Sequence, residues 1–413
     1  MRKFARSFSR IFPLITFLFL SASIAPLPAF GSEANLRSAT AGNIADDDLS
    51  GEDLEIRRVA LEALGTAAGT VVVMNAQNGQ ILTIVNQDWA IRNAFKPCST
   101  IKIVTGIAGY SEELIRRDGS LANGSYRLGL DQALAYSNNA YFQKVGAELG
   151  NEKMIFYAGR LGLGTVTGIN APGESAGRLP FGNSNLRIYS HADDFEVTPL
   201  QLAVMVSAVT NGGRMIVPRI PKTERERANF RGYLRRILDI EPSVYKRVIP
   251  GMLGAAEYGT AKSIPNDLRV AGKTGSCISK GTWVGLFASA APVEDPKFAV
   301  VVITRGKYAR GRHSAAVASK IYQALRPRFE RRFDRRLIAA NPRNSVDRRA
   351  DVDERSERSP SVTKTASARP TGTVPAKRES KAAKPKSVEE MFPTIVIEPG
   401  KTEITRPRVI DRQ

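Results

Sequence analysis

Two groups of strand-forming sequence lie far apart in this chain, with a long helical stretch between them. The first group is the run Thr70-Val71-Val72-Val73-Met74 and a returning run at residues 81–85. Asn75-Ala76-Gln77-Asn78-Gly79 joins them, and Asn78-Gly79 is a strong hairpin signal. The second group is three successive strands predicted at residues 268–275, 282–291 and 298–304, followed by a closing helix at 313–325. Between the groups, residues 100–113, 139–149 and 199–210 read as helices, the second stopped by Gly150 and the third by Asn211-Gly212-Gly213. Residues 52–64 carry Leu54, Ile56, Val59, Leu61 and Leu64 among charges, which suits a short amphipathic helix. Pairing the two strand groups into one antiparallel sheet, with a helical part beside it, makes the expected class α+β.

The ends of the chain differ from this middle. Arg2, Lys3, Arg6 and Arg10 precede an uncharged, mostly apolar stretch at 11–30, and Ala29-Phe30-Gly31 resembles a small-x-small cleavage site. Residues 1–31 therefore read as a secretory signal peptide, or else as an uncleaved membrane anchor, since about 20 apolar residues can span a bilayer. Either reading puts the rest of the chain outside the cytoplasm, in a periplasm or on the outer face of the plasma membrane. Residues 32–51 are small, polar and acidic and are expected to be a linker. One large folded domain is expected at 52–336. Ser, Thr, Pro, Lys, Arg and Ala dominate from 337 onward, so 337–413 is predicted to be a disordered basic tail. Its apolar segment at 388–397 is either a docking motif for other cell-surface proteins or an unused remnant.

The formal net charge is +20, a balance that favours anionic partners such as nucleic acid, a membrane surface or an acidic polymer. From Arg326 to Gln413 there are 22 Lys/Arg against 13 Asp/Glu, so +9 of that charge sits in the last fifth of the chain. Only two histidines are present, His191 and His313, and neither lies in a recognisable triad context. Zinc ligands of the usual kinds are too few and too scattered. Any acyl-transfer or hydrolytic chemistry must use another base.

Three short motifs supply one. They are Ser99-Thr100-Ile101-Lys102, Ser137-Asn138-Asn139 and Lys273-Thr274-Gly275, the last followed by Ser276-Cys277. Each alone is weak, and Ser137-Asn138-Asn139 could equally be a helix N-cap. Their order and spacing together resemble the serine acyl-transferases that include penicillin-binding proteins and serine β-lactamases. Further similarity lies in Tyr136 to Phe142, Ala171-Pro172-Gly173-Glu174, Thr198 to Ala203, Asn211-Gly212-Gly213, Gly251-Met252 and Gly259-Thr260-Ala261. The resemblance covers roughly residues 52–325 and points to the class B, transpeptidase-only group of penicillin-binding proteins.

That resemblance implies a five-stranded antiparallel sheet flanked by helices, an all-helical subdomain, and a nucleophile in the cleft between them. Ser99 would attack the D-Ala–D-Ala bond of a peptidoglycan stem peptide and form an acyl-enzyme, and β-lactams would acylate the same serine. A serine hydroxyl is a poor nucleophile until a base takes its proton. Lys102, one helical turn away and depressed in pKa by burial and by the charge of Lys273, would be that base. Ser137 would bridge the two lysines and relay a proton to the leaving amine. Asn139 would hold Lys102 and the substrate amide, and Thr274 with Lys273 would bind the substrate carboxylate. The backbone N–H groups of Ser99 and Ser276 would form the oxyanion hole. Gly275 would keep the strand clear where substrate pairs beside it. No metal or cofactor is implied, and nucleic acid is not among the implied partners.

Cys98 directly precedes the nucleophile and Cys277 follows the third motif, positions where the family more often has small residues. The helix and strand that carry them face each other in this fold, which implies a disulfide in an oxidising compartment; two buried thiols are the alternative. The chain also departs from the family in lacking room for a pedestal module before the catalytic domain. In addition, Ser190-His191-Ala192-Asp193-Asp194-Phe195-Glu196 replaces a Gly-rich form, with acids that either tune acceptor choice or form a solvated loop. Water as acceptor would make a D,D-carboxypeptidase. A class D-like β-lactamase is a second enzymatic reading, which Asn139 argues against. A β-lactam sensor or cell-wall scaffold is the non-enzymatic one.

Overall fold

The structure, a computed structural model, describes residues 32–329 and the short strand Ile338–Ala340. Residues 1–31, 330–337 and 341–413, including the apolar segment at 388–397, lie outside the described residues. In chain order, α1 (Glu33–Ala45) and α2 (Leu54–Leu64) precede the hairpin β1 (Ala68–Asn75) and β2 (Ile81–Val85). A helical run follows: α3 (Lys102–Ser111), α4 (Leu130–Ala135), α5 (Asn139–Leu149), α6 (Asn151–Arg160), α7 (Ile188–His191) and α8 (Pro199–Thr210). Next come β3 (Arg214–Val217), α9 (Glu224–Ala228), β4 (Gly232–Ile237), α10 (Pro242–Lys246) and α11 (Ile249–Glu257). The chain then forms β5 (Ala271–Ser279), β6 (Thr282–Ala291), β7 (Phe298–Arg305), α12 (Gly311–Leu325) and β8 (Ile338–Ala340).

The two distant strand groups do pair. The main sheet runs β2-β1-β7-β6-β5, antiparallel throughout, with Val72 opposite Val301 and Lys273 opposite Ala288. Its inner strands are apolar at nearly every position because both faces are covered. Val72, Met74, Val301 and Ile303 point into a core shared with α3, α5 and α8. Val71, Val73, Val300 and Val302 point into a second core closed by α2 and α12. The two-residue alternation of a strand therefore feeds two cores at once. β5 is an edge strand, and its face carrying Gly275 and Cys277 packs against the turn that carries Ser99.

Three expectations need correction. Residues 32–51 are not a linker. Ser32 caps α1 by accepting from the backbone N–H of Asn35, and Asp47 and Glu52 grip the guanidinium of Arg57 at 2.8 and 3.0 Å beneath β2. Leu36 is the only buried apolar side chain of α1, so no helical period shows in the sequence. The helical part is not purely helical, because β3, β4 and β8 form a separate three-stranded sheet. Residues 338–340, assigned to the tail, are the parallel third strand of that sheet, with Gly232 opposite Ile338.

Candidate active site

Four elements bring the three motifs together. Ser99 lies in a 3-10 turn, Cys98–Ile101, that runs straight into α3, so Lys102 stands one turn further on the same face. Thr100 Oγ1 braces this turn on the carbonyl of Pro97 at 2.6 Å. Cys98, before the nucleophile, has φ +49°, a conformation that L side chains adopt at a cost of about 1–2 kcal/mol.

The second motif sits between two helices and serves both. Ser137 has φ +57° and ends α4: its N–H donates to Leu134 O at 3.1 Å, and that of Asn138 donates to Ala133 O at 2.8 Å. This is a Schellman C-cap with serine at the left-handed position. Asn138 then caps α5, accepting from the backbone N–H of Tyr141 at 2.9 Å. The helix-cap reading is thus correct for Asn138. Asn138 caps, while Ser137 and Asn139, on either side, face Lys102.

Lys102 is the hub. Its Nζ lies 3.1 Å from Ser99 Oγ, 3.1 Å from Ser137 Oγ, 2.7 Å from Ser137 O and 2.6 Å from Asn139 Oδ1. The side chain is fully buried, and burial lowers its pKa from 10.5 to about 7. Lys273 is also fully buried, and its pKa is driven well below the ordinary lysine value, first by burial and then by the charge of Lys102. Lys273 Nζ donates to Thr274 O at 3.0 Å, so the expected serine bridge is seen only at its Lys102 end.

Along β5, Lys273, Gly275 and Cys277 share one face, and Thr274 and Ser276 the other. A Cβ at Gly275 would lie 3.2 Å from Cys98 Cβ, Pro97 O and Leu286 Cδ1. A side chain here would crowd the turn that carries Ser99, so the glycine suits the close approach of β5 to it. The same approach is locked covalently, since Cys98 and Cys277 are joined by a disulfide across 5.7 Å between Cα atoms. On the other face, Thr274 Oγ1 meets Thr260 Oγ1 at 2.6 Å and Ser276 Oγ accepts from the N–H of Gly311 at 2.8 Å.

Several residues lining this cleft were not picked out as site residues: His191, Thr260, Arg310 and Arg312. Thr260 carries a signal in the sequence, since it lies in the Gly259-Thr260-Ala261 motif. Arg310 stacks on Trp283, its guanidinium carbon 3.4 Å from the ring centroid, a pairing made where the β7–α12 connection folds onto the start of β6. The acidic loop at 190–196 divides its labour. Asp193 is clamped between Lys96 and Arg187, and Asp194 accepts from Asn183, so these acids serve the loop. Ala192 and Asp194 have φ +59° and +62°, so the loop keeps a left-handed path without glycine. Ser190 and His191 are the members that face the cleft side: Ser99 Oγ donates to Ser190 O at 3.3 Å.

Comparison with known proteins gives this geometry a family context. A family profile, Penicillin binding protein transpeptidase domain, matches residues 69–323. Penicillin-binding protein PbpB of Mycolicibacterium smegmatis is 24% identical over 66% of this chain and 52% of its own length. Peptidoglycan D,D-transpeptidase FtsI of Escherichia coli is 22% identical over 62% of this chain and 50% of its own. The chain thus spans about half the length of these curated relatives. Among solved structures, Pseudomonas aeruginosa PBP2 superposes with a TM-score of 0.58 at 20% identity, covering 67% of this chain and 78% of that one.

Proposed function

This chain belongs to the penicillin-binding protein transpeptidase family, and on that premise we propose that it is a serine D,D-transpeptidase acting on D-Ala–D-Ala stem peptides of peptidoglycan. The observation that carries the reading is a buried lysine, with a pKa of about 7, within 3.1 Å of a serine hydroxyl on the same helical face. Neutral Lys102 takes the proton of Ser99 as Oγ attacks the penultimate D-Ala carbonyl. The backbone N–H groups of Ser99 and Ser276 receive the oxyanion; removing one such donor typically costs about 100- to 1,000-fold in rate. The proton passes from Lys102 through Ser137 Oγ to the leaving amine, free D-Ala departs, and an ester remains on Ser99. The amine of a second stem then attacks that ester, its proton passes through Lys102 to Ser99 Oγ as the ester C–O bond breaks, and a peptide cross-link forms with the serine restored.

Thr274 and Thr260 line the end of the cleft that takes the terminal carboxylate, with Lys273 buried behind Thr274 and Arg310 and Arg312 adding positive charge at the rim. The free rim of β5 supplies backbone groups to an extended peptide, in the manner of strand addition. A β-lactam presents the same carbonyl and carboxylate and acylates the same serine. Among the described residues no carboxylate lines the cleft, which favours a long-lived β-lactam adduct over rapid hydrolysis. Export by the leader at 1–31 and docking of other cell-wall proteins through the basic tail belong to the same proposal and rest on sequence alone.

The test is a donor pentapeptide ending in D-Ala–D-Ala, incubated with the full chain and an amine acceptor. Release of D-Ala with an amide product supports transpeptidation. Release with hydrolysis only would make the protein a carboxypeptidase, and no release would contradict the proposal.

A further inference from the structure

His191 borders the same cleft as Ser99, Ser137 and Asn139, yet none of the three motifs requires it. It ends α7, whose other three residues are buried. The turn is fastened to the nucleophile helix from below: Thr105 Oγ1 donates to Tyr189 O at 2.8 Å, and Ser99 Oγ to Ser190 O at 3.3 Å. The imidazole therefore has a set position relative to the catalytic groups. Its Nε2 is 3.3 Å from Asn139 Nδ2. Its Nδ1 is 2.7 Å from Ser190 Oγ, which also accepts from Gln143 Nε2 at 3.0 Å.

Lys102 decides the direction of these bonds. At 2.6 Å its amine donates to the carbonyl oxygen of Asn139, which turns the amide nitrogen toward His191. An amide NH2 only donates, so Nε2 must offer a lone pair. A neutral ring with bare Nε2 carries its proton on Nδ1, and Ser190 Oγ accepts it. Ser190 Oγ has two lone pairs, enough for His191 and Gln143 together. Every bond in the series Lys102–Asn139–His191–Ser190 thus has one donor and one acceptor.

We infer that His191 is a positioning residue for acylation, holding the Asn139 amide so that its oxygen stays on Lys102 and the lysine lone pair stays aimed at Ser99. The consequence for rate rests on the proposed chemistry at Ser99; the hydrogen-bond direction does not. The role requires a neutral ring. Burial, then Arg187 and Lys102, lower the His191 pKa to about 4; Asp193 opposes and Lys96 adds to the lowering. The ring therefore stays neutral across the range in which Lys102 titrates.

The test uses the full chain with 15N-labelled histidine. Only two histidines exist, and His191→Gln assigns them. The expected spectrum shows a neutral ring protonated on Nδ1, unchanged from pH 5 to 8. His191→Ala should slow penicillin acylation about fivefold, in keeping with one lost hydrogen bond of about 1 kcal/mol. His191→Gln, which restores an acceptor, should recover most of that loss. Once Asn139→Ala has removed the amide, His191→Ala should cost nothing further, an outcome a merely structural role would not produce. A ring protonated on Nε2, or a His191→Ala penalty undiminished in the Asn139→Ala background, overturns the inference. If the wild-type chain takes no penicillin at Ser99, the transpeptidase reading fails, and the ring's tautomer still decides this one.

Discussion

In the proposed mechanism Lys102 acts as a base near neutral pH while packed under the ring of Phe142, 5.8 Å from its centroid. Burial alone accounts for a pKa of about 7, and it has two measurable consequences. The rate of Ser99 acylation should rise through about pH 7 and level off above it, as the amine loses its proton; a profile flat from pH 5 to 9 would remove Lys102 from the base role. Stability should show the opposite side of the same shift. Between about pH 7 and 10.5 the unfolded chain binds a proton that the folded chain does not, so stability rises with pH across that window. Lys102→Met should abolish acylation yet raise stability by on the order of 2–5 kcal/mol at pH 6, a gain that fades toward pH 10.5 in urea titrations. Gly275 tests the packing of the site: in Gly275→Ala the new methyl meets Cys98 Cβ and Pro97 O at 3.2 Å. Relief must move the nucleophile turn, so a loss of about 1–3 kcal/mol and a clear drop in acylation rate are expected.

At the scale of elements, a latch at the start of the chain ties α1 and α2 to the edge of the main sheet. Arg57 holds Asp47 and Glu52, while Glu52 also accepts from Thr83 Oγ1 at 2.7 Å and from the N–H of Ile84 at 3.0 Å. Burial raises the pKa of both acids despite the guanidinium. Arg57→Met should therefore destabilise by about 3–5 kcal/mol at pH 7, because two buried carboxylates lose their partner. The deficit should shrink as pH falls and the acids take up protons, which chemical unfolding at pH 7 and pH 5 would measure. This latch shows where the sequence stops being readable. Elements with a clear period or a capping signal were legible: α5 and α8 have their predicted ends, and so do β2 and β6. α1 was not, because one buried leucine makes no period. β3 and β4 were not, because they are short and β4 carries two arginines in a half-buried run. The three catalytic motifs are local patterns and could be read as such. The contacts of His191 and Arg310 depend on which turn meets which strand, and no local spacing encodes that.

For the whole molecule, the central fact is that residues far apart in sequence are drawn into one site and held there. Cys98 and Cys277, 179 residues apart, are the covalent part of that convergence. Replacing both by serine should cost about 2–5 kcal/mol, as for loss of a long-loop disulfide, and slow acylation by loosening β5 against the nucleophile turn. A double variant with wild-type unfolding and wild-type rate would show that Gly275 and the surrounding core hold the strand unaided. The account as a whole stands on Ser99. The most direct measurement is mass spectrometry of the full chain after brief exposure to a penicillin, with Ser99→Ala in parallel. The expected result is one stable adduct, mapped to the peptide containing Ser99 and absent from the variant. An adduct that persists in Ser99→Ala, one that clears within seconds as the antibiotic is consumed, or no adduct at all would contradict it.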